Sequence, residues 1–429
     1  MNLARLNHVL IPGTKAERDR LRRMPLGRIL QPFVKTYHAL SPVGRAVFVF
    51  ALIAAFSGLD VQRSQNSMLW ALLFSLLVAT LSVRRLFALT GVELEVVGPE
   101  RVMAGQTAHF EVCLRNRSQR SFHDIQIDGP FLPWDGSWSG PRPSLSELHP
   151  GEGRRLTLSA RFGARGQHEL DHFSASALVP LRLAQGPRLW SGGTRFMVVP
   201  RVAPVLPLEL PLSTRYQPGG MALASLTGES MELVGVRPYR EGDRIRDLHA
   251  KTWARTGQPS VREYHQEYFS RIGLVLDTDA TTEEEPFEAG ISLAAGIVSG
   301  LFQDDALIDL LILGRELQSL TLGRSLGYFE QALDRLACVA PGPPFDASHS
   351  EDLLRPHLSR LSAVVFVSAS WDERRNVLVR AFQRAGVSCR AIAVHEPSRH
   401  ALQSPPDAVR VLRVAEIREA CESGKPIAL

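Results

Sequence analysis

Ile272-Gly273-Leu274-Val275-Leu276-Asp277-Thr278-Asp279-Ala280-Thr281 is the stretch that decides the fold of the C-terminal half. Five uncharged residues in a row read as a strand buried on both faces, and it stops at a carboxylate. Beyond that carboxylate the chain alternates helix and strand: an amphipathic stretch over 287–302, a strand over 306–313 and a helix over 327–339. A strand over 363–368, a helix over 373–385 and a strand over 388–394 complete the series. Strands separated by helices predict a parallel, doubly wound sheet, with ligands expected at the strands' carboxyl ends. This assigns residues 271–429 to an α/β domain.

Working outward toward the N-terminus, residues 205–270 carry a linker and then a segment dense in alternating charge. That segment runs Arg237-Pro238-Tyr239-Arg240-Glu241-Gly242-Asp243, then Arg246, Leu248, His249 and Ala254-Arg255-Thr256-Gly257. Arginine and carboxylate in such density form planar, bidentate contacts that fix a loop. Two roles compete. One is a salt-bridged clamp that holds the segment to the next domain, and the other is a docking site built on Arg237, Arg246 and Arg255. Nearby carboxylates neutralise any anion site, which favours the clamp. His249 is a candidate general base, but no nucleophile lies beside it, so a structural role is expected. Pro-rich 200–211 reads as a stiff linker.

Residues 91–204 change to short alternating runs between Gly, Pro, Asn and Ser turns, which predicts a β-sandwich. Strand-like runs fall at 92–97, 109–114, 124–127, 154–162, 168–178 and 195–199. The insert 129–153 is rich in Gly, Pro and Ser and reads as a long surface loop, with Trp134 and Trp138 as anchors to the core.

Two uncharged apolar runs, 46–59 and 68–83, lie within 43–90 and predict a transmembrane helical hairpin. Ahead of them, the arm 1–42 is basic: residues 1–45 hold nine Lys/Arg against Glu17 and Asp19. Of the chain's net charge of +5, this leaves the remainder at −2, too little to attract nucleic acid. Positive charge flanks both runs while the link between them holds only Arg63, which places both termini and the main domains in the cytoplasm. The lipid bilayer is thus the first partner. Four widely spaced cysteines, Cys113, Cys338, Cys389 and Cys421, read as reduced and mostly buried thiols.

The segment around Arg237, Tyr239, Gly242, Asp243, Arg246, His249, Ala254 and Arg255 closely resembles the signature of the domain-of-unknown-function 58 family of bacterial proteins. Where that family most often has Trp after the His, this chain has Ala250, with Trp253 as a candidate to fill the same pocket. Pro180-Leu181-Arg182-Leu183 is similar to the family's Pro-Phe-Gly-Leu-like element, with Arg in place of Gly. The resemblance implies a membrane hairpin, a β-rich domain and a von Willebrand factor A-like domain. It also implies a MoxR-type AAA+ ATPase as partner and a scaffold role rather than an enzyme's. The Asp277 loop then resembles an adhesion-type metal site, with Asp277, Asp279 and Thr281 as candidate oxygen ligands for Mg²⁺. Where such domains supply another Asp, this chain has Val367-Ser368-Ala369-Ser370, so the expectation is a degenerate site and no cofactor. A rival from another class uses the same residues. Asp-x-Asp-x-Thr resembles the first motif of haloacid dehalogenase-type phosphatases, with Asp277 as nucleophile, Asp279 as acid/base and Ser368 as the second motif. Against it, no lysine lies between Lys251 and Lys425 to neutralise a phosphoryl group.

Overall fold

A computed structural model of the chain describes residues 36–57, 64–208, 233–241, 243, 245–264, 271–279, 283–303, 307–323, 326–396 and 408–429. They divide into two compact units, Met1–Pro200 and Arg201–Leu429.

The first unit opens with helices α1 (Pro42–Ser57) and α2 (Ser64–Val83). They pack on each other through Ala51 and Leu77, with Val47, Leu73 and Leu81 alongside. Their other faces leave Phe50, Phe56, Met68 and Leu72 exposed. The helical stretch Gln65–Phe87, 23 residues with a mean hydropathy of 1.8, is long and apolar enough to cross a membrane; Pro42–Phe56 is apolar but shorter. The base of α1 is stitched to the loop that follows residue 178. Ser41 N–H donates to Leu183 O (3.0 Å) and Gln185 N–H to Ala39 O (2.8 Å). Gly44 lies so close that an added Cβ would sit 1.8 Å from Leu183 O, which explains a residue without a side chain there.

The β domain has eleven strands: β1 (Val92–Val97), β2 (Arg101–Met103), β3 (Thr107–Asn116), β4 (Phe122–Asp128), β5 (Gly136–Ser139), β6 (Ser144–Leu148), β7 (Gly153–Phe162), β8 (Gly166–Leu170), β9 (Ser174–Ala177), β10 (Leu189–Trp190) and β11 (Thr194–Val199). They form three sheets, ordered β1-β3-β7-β5, β10-β9-β4-β6 and β2-β11-β8. Alternation places Ala108, Phe110, Val112 and Leu114 of β3 inward, where they meet Ile125, Phe162, Phe173 and Phe196 in one core. Two expectations need correction. The insert 129–153 is not structureless: it contributes β5 and β6, edge strands in two different sheets, and edges tolerate the Gly and Pro that hid them. The run 168–178 is not one strand but two, β8 and β9, which belong to different sheets. Trp138 is an anchor as expected, its ring against Phe110 and Phe173 and its Nε1 donating to Pro130 O (3.2 Å). Trp134, by contrast, stays 48% exposed. At the element 180–183, Leu181 (φ 66°) and Arg182 (φ 56°) both hold left-handed backbone, so Arg182 occupies the conformation that suits glycine.

The second unit begins by lacing Arg201–Leu208 onto the α/β domain, not as a free linker. Ala203 N–H donates to Ser292 O (3.1 Å), Leu206 N–H to Ile427 O (2.8 Å) and Ile427 N–H to Pro204 O (2.9 Å). Next come β12 (Leu233–Pro238), a 3₁₀ turn (Ile245–Asp247), α3 (Ala250–Thr256) and β13 (Ser260–Tyr264), which pairs antiparallel with β12. The α/β domain then runs β14 (Arg271–Asp277), α4 (Glu284–Gln303), β15 (Leu307–Leu313), β16 (Leu317–Leu322), α5 (Leu326–Ala337), α6 (Ala347–Leu358), β17 (Ala363–Ser368), α7 (Glu373–Arg384), β18 (Ser388–His395), β19 (Val409–Arg413) and α8 (Val414–Ser423). The sheet order is β16-β15-β14-β17-β18-β19, with only β16 antiparallel. All six residues of β17 are buried, as a central parallel strand requires. Of the cysteines, Cys338 is exposed and the others are half-buried, so the expectation of mostly buried thiols is corrected.

Candidate functional site

In the α/β sheet β14 has β15 on one side and β17 on the other. The connection after β14 runs to β15 and the one after β17 runs to β18, away from each other, and a doubly wound sheet opens a crevice at the carboxyl ends of such a pair. Asp277 closes β14 and Ser368 closes β17. Helix α7 starts five residues after Ser368, and Asp372 caps it by accepting the Arg375 N–H (3.1 Å). That cap sets Arg375 on the first turn, where its guanidinium fills the crevice. Its Nε donates to Asp277 Oδ2 (2.8 Å) and Ser368 Oγ (2.8 Å), and its Nη2 donates to Asp279 Oδ2 (2.8 Å). Nη1 lies 3.1 Å from Asp372 Oδ1, and Cζ stands 4.6 Å from the centre of the Phe345 ring. Arg375 is 2% exposed, Asp277 4%, Asp279 7% and Ser368 0%, so this is an interior ion cluster.

The loop after β14 is pinned from every side. Asp279 N–H donates to Asp277 Oδ1 (3.0 Å), and Ser368 Oγ donates to Asp277 Oδ2 (2.7 Å). Thr278 Oγ1 bonds Leu313 O, and Gly342 N–H donates to Thr278 O (2.6 Å). Gly342 must be glycine for this approach, since a Cβ would fall 2.4 Å from Thr278 Oγ1. Burial pushes the Asp277 carboxyl above the ordinary carboxylate value even beside Arg375.

These residues do not fit the Mg²⁺ site that the sequence offered. Asp277 and Asp279 both direct an oxygen at the same guanidinium, and the fourth-strand residue Ser368 bonds to Asp277 rather than facing an open position. Among the described residues no three His, Cys, Asp or Glu side chains gather to hold a metal. Thr281 lies outside the described residues. A nucleophilic Asp277 fits no better, because Oδ1 and Oδ2 both accept hydrogen bonds inside the cluster. Arg375 is the residue that sequence reasoning missed. Its signal was there: Asp372-Glu373-Arg374-Arg375 opens a helix directly after the strand that ends at Ser368.

The signature segment is a second, separate device. Arg237 grips Asp243 with both terminal nitrogens (2.7 and 2.8 Å), and Asp243 Oδ2 also accepts the Arg240 N–H (2.8 Å). These bonds pull the Asp243 carboxyl down to about 2. His249 is the N-cap of α3: its Nδ1 accepts Thr252 N–H (3.2 Å) and lies 2.7 Å from Thr252 Oγ1. Nδ1 is thus engaged in the cap, the kind of structural role the sequence leads us to expect for His249. The staple ties two parts of one turn together, and Arg255 stands apart from it, exposed on α3 beside the equally exposed Ala254. Trp253 is 44% exposed, so it does not refill a buried pocket. With Tyr239 (38%) and Ile245 (76%) it gives this hairpin an outward apolar surface. Gly242 and the side chain of Arg246 lie outside the described residues.

No family model matches this chain, and no curated protein matches it. Among solved structures, it is similar to native alpha-2-macroglobulin from Escherichia coli, spanning domain MG7 to the C-terminus. That match has 16% identity and a TM-score of 0.21 over 29% of this chain and 21% of the other. It is also similar to the CARDB domain of the PF1109 protein from Pyrococcus furiosus in complex with di-metal ions, with 15% identity and a TM-score of 0.18 over 25% of this chain and 91% of the other. At that level of likeness neither bears on what this chain does.

Proposed function

We propose that this chain is a membrane-anchored, cytoplasm-facing scaffold of the domain-of-unknown-function 58 type. Its α/β domain is a von Willebrand factor A-like docking module that works without a metal ion, and its partner is a MoxR-type AAA+ ATPase. The observation that carries this reading is Arg375, which places one positive charge where the resemblance expects a divalent cation. A built-in cation keeps the Asp277 loop in shape without exchange, which suits a docking surface and not a catalytic centre. The sheet order, a doubly wound arrangement with one antiparallel edge, supports the same reading. Exposed Tyr239, Ile245 and Trp253 supply the apolar anchors that protein interfaces favour.

The test has two arms on the full-length protein in detergent. Melting in EDTA and in millimolar MgCl₂ is expected to coincide, since a bound ion would stabilise by RT ln(1 + [Mg²⁺]/Kd). Pull-down of the purified ATPase is expected to weaken for Trp253→Ala and Tyr239→Ala at unchanged Tm. A Mg²⁺-dependent rise that Asp277→Ala removes would sink the metal-free module. So would turnover of a phosphomonoester that Asp277→Asn abolishes.

A further inference from the structure

A groove of about 840 Å³ runs along the edge of the β domain, directly past the end of the long apolar helix. Arg85 and Leu86 of the Arg84–Phe87 turn line one wall, Arg120 and Asp124 a second, and Leu181 and Arg182 a third. Three independent features point to the same occupant. The first is charge: three arginines face one carboxylate, Asp124, which pairs with Arg182 (2.6 Å). The side chains of Arg85 and Arg120 have no ion-pair or hydrogen-bond partner among the described residues. The second is apolarity at the rim, where Leu86 is 82% and Leu181 68% exposed. The third is backbone conformation. The turn that brings Leu181 and Arg182 to the groove holds positive φ at both (66° and 56°), as does Asp124 (49°). The lining is also held firm: Asn116 Nδ2 donates to Arg120 O (2.7 Å), and Ser41 Oγ bonds Arg182 O.

We propose that this groove is a binding site for the phosphate of an anionic membrane lipid, with Arg85 and Arg120 taking the headgroup and Leu86 and Leu181 lying among the first acyl carbons. Arg85 follows Val83, the last residue of α2, by two positions. It therefore sits at the depth where a spanning helix meets headgroups, and arginine and leucine together match that boundary. The inference rests on the membrane-anchored reading and identifies the lipid class that anchor prefers.

The experiment uses the full chain in nanodiscs of equal phosphatidylcholine and phosphatidylglycerol, followed by gentle extraction and quantification of co-purifying lipid. Phosphatidylglycerol is expected to be enriched in the parent, and the enrichment to fall about fivefold for each of Arg85→Ala and Arg120→Ala, the scale of one charge beside anionic lipid. A fluorophore on Leu181→Cys is expected to shift to the blue on passing from detergent to nanodiscs, while Tm stays with the parent. Equal retention of both lipids in parent and variants would overturn the site. Displacement of the lipid signal by inorganic phosphate, with the Leu181 probe still in water, would overturn it in favour of a free-phosphate site. Carbonate washing separates the two readings. If it strips the chain from membranes the anchor fails, and the groove is then judged by flotation with phosphatidylglycerol vesicles. Flotation lost in the double arginine variant supports the groove, and no flotation of the parent overturns it.

Discussion

Removing Arg375 leaves two carboxylates, Asp277 and Asp279, buried without a counter-charge. Arg375→Ala should destabilise by about 3–5 kcal/mol, read as a lower Tm or denaturation midpoint. Replacing all three charges, as in Asp277→Asn, Asp279→Asn and Arg375→Met together, should cost less than the single change, since nothing is then stranded. The same logic gives a sharper check. Arg375→Ala empties a cleft still lined by Asp277 and Asp279, so millimolar Mg²⁺ should raise the Tm of that variant and leave the parent unmoved. If the parent responds and the variant does not, Arg375 is not acting as the resident cation. Asp277 was legible in the sequence because it ends an apolar run. Arg375 was not, because it lies 98 residues further on and only the sheet order brings the two together.

Within single elements, the two short strands β5 and β6 show how composition misleads. Their Gly, Pro and Ser content reads as loop, yet Leu145 and Leu148 of Ser144–Leu148 pack on the core, three residues apart and so without the simple alternation that marks a strand in sequence. Trp138 in β5 should therefore behave as a core residue. Trp138→Ala is expected to cost about 3 kcal/mol, and Trp134→Ala under about 1 kcal/mol, in the same melt. Next to β5, Asp135 Oδ2 lies 3.1 Å from His168 Nε2 in the middle of β8, both side chains buried. Burial pulls the imidazole pKa down, but the Asp135 hydrogen bond and charge outweigh it and leave His168 above 6.5. Burial likewise pushes Asp135 up, yet the bonds from His168 and the Ala164 N–H leave it below 3.8. A raised histidine stabilises below its unfolded value and loses that stability as pH rises through the folded one. A depressed aspartate contributes above its unfolded value and loses out as pH falls. Stability of the β domain should therefore decline from mildly acidic to mildly alkaline pH, and Asp135→Asn should flatten that slope. A slope of equal size in Asp135→Asn would remove the pair from the account.

For the whole molecule, the order of segments was legible from composition and patterning: apolar helices, alternating strands, a charged segment, then strand–helix repeats. The edges were not. Residues 201–208 belong to the second unit because backbone bonds to Ser292 and Ile427 hold them there, and such pairings leave no trace in a Pro-rich sequence. The strands and helices missed in the α/β domain, β16, α6, β19 and α8, are peripheral and polar on one face, which weakens the buried-strand signal. The proposed topology gives the test at this scale. In a chain whose four cysteines are replaced by serine, Ser64→Cys should label from outside intact cells with an impermeant reagent, and Ser118→Cys should not. Labelling of Ser118→Cys alone would reverse the orientation.

The stitching of Ala39, Ser41 and Gly44 to residues 183–185 also bears on how this protein can be taken apart at the bench. Trimming the apolar helices to gain solubility would cut through a seam. A fragment beginning at Gly91 would leave Leu183 O and the Gln185 N–H without their partners and bare the face of Gly186 that lies against Phe87. Such a fragment should aggregate or melt early for reasons unrelated to its sequence beyond residue 91. Dissection is better made after Pro200, where the chain passes from one compact unit to the next.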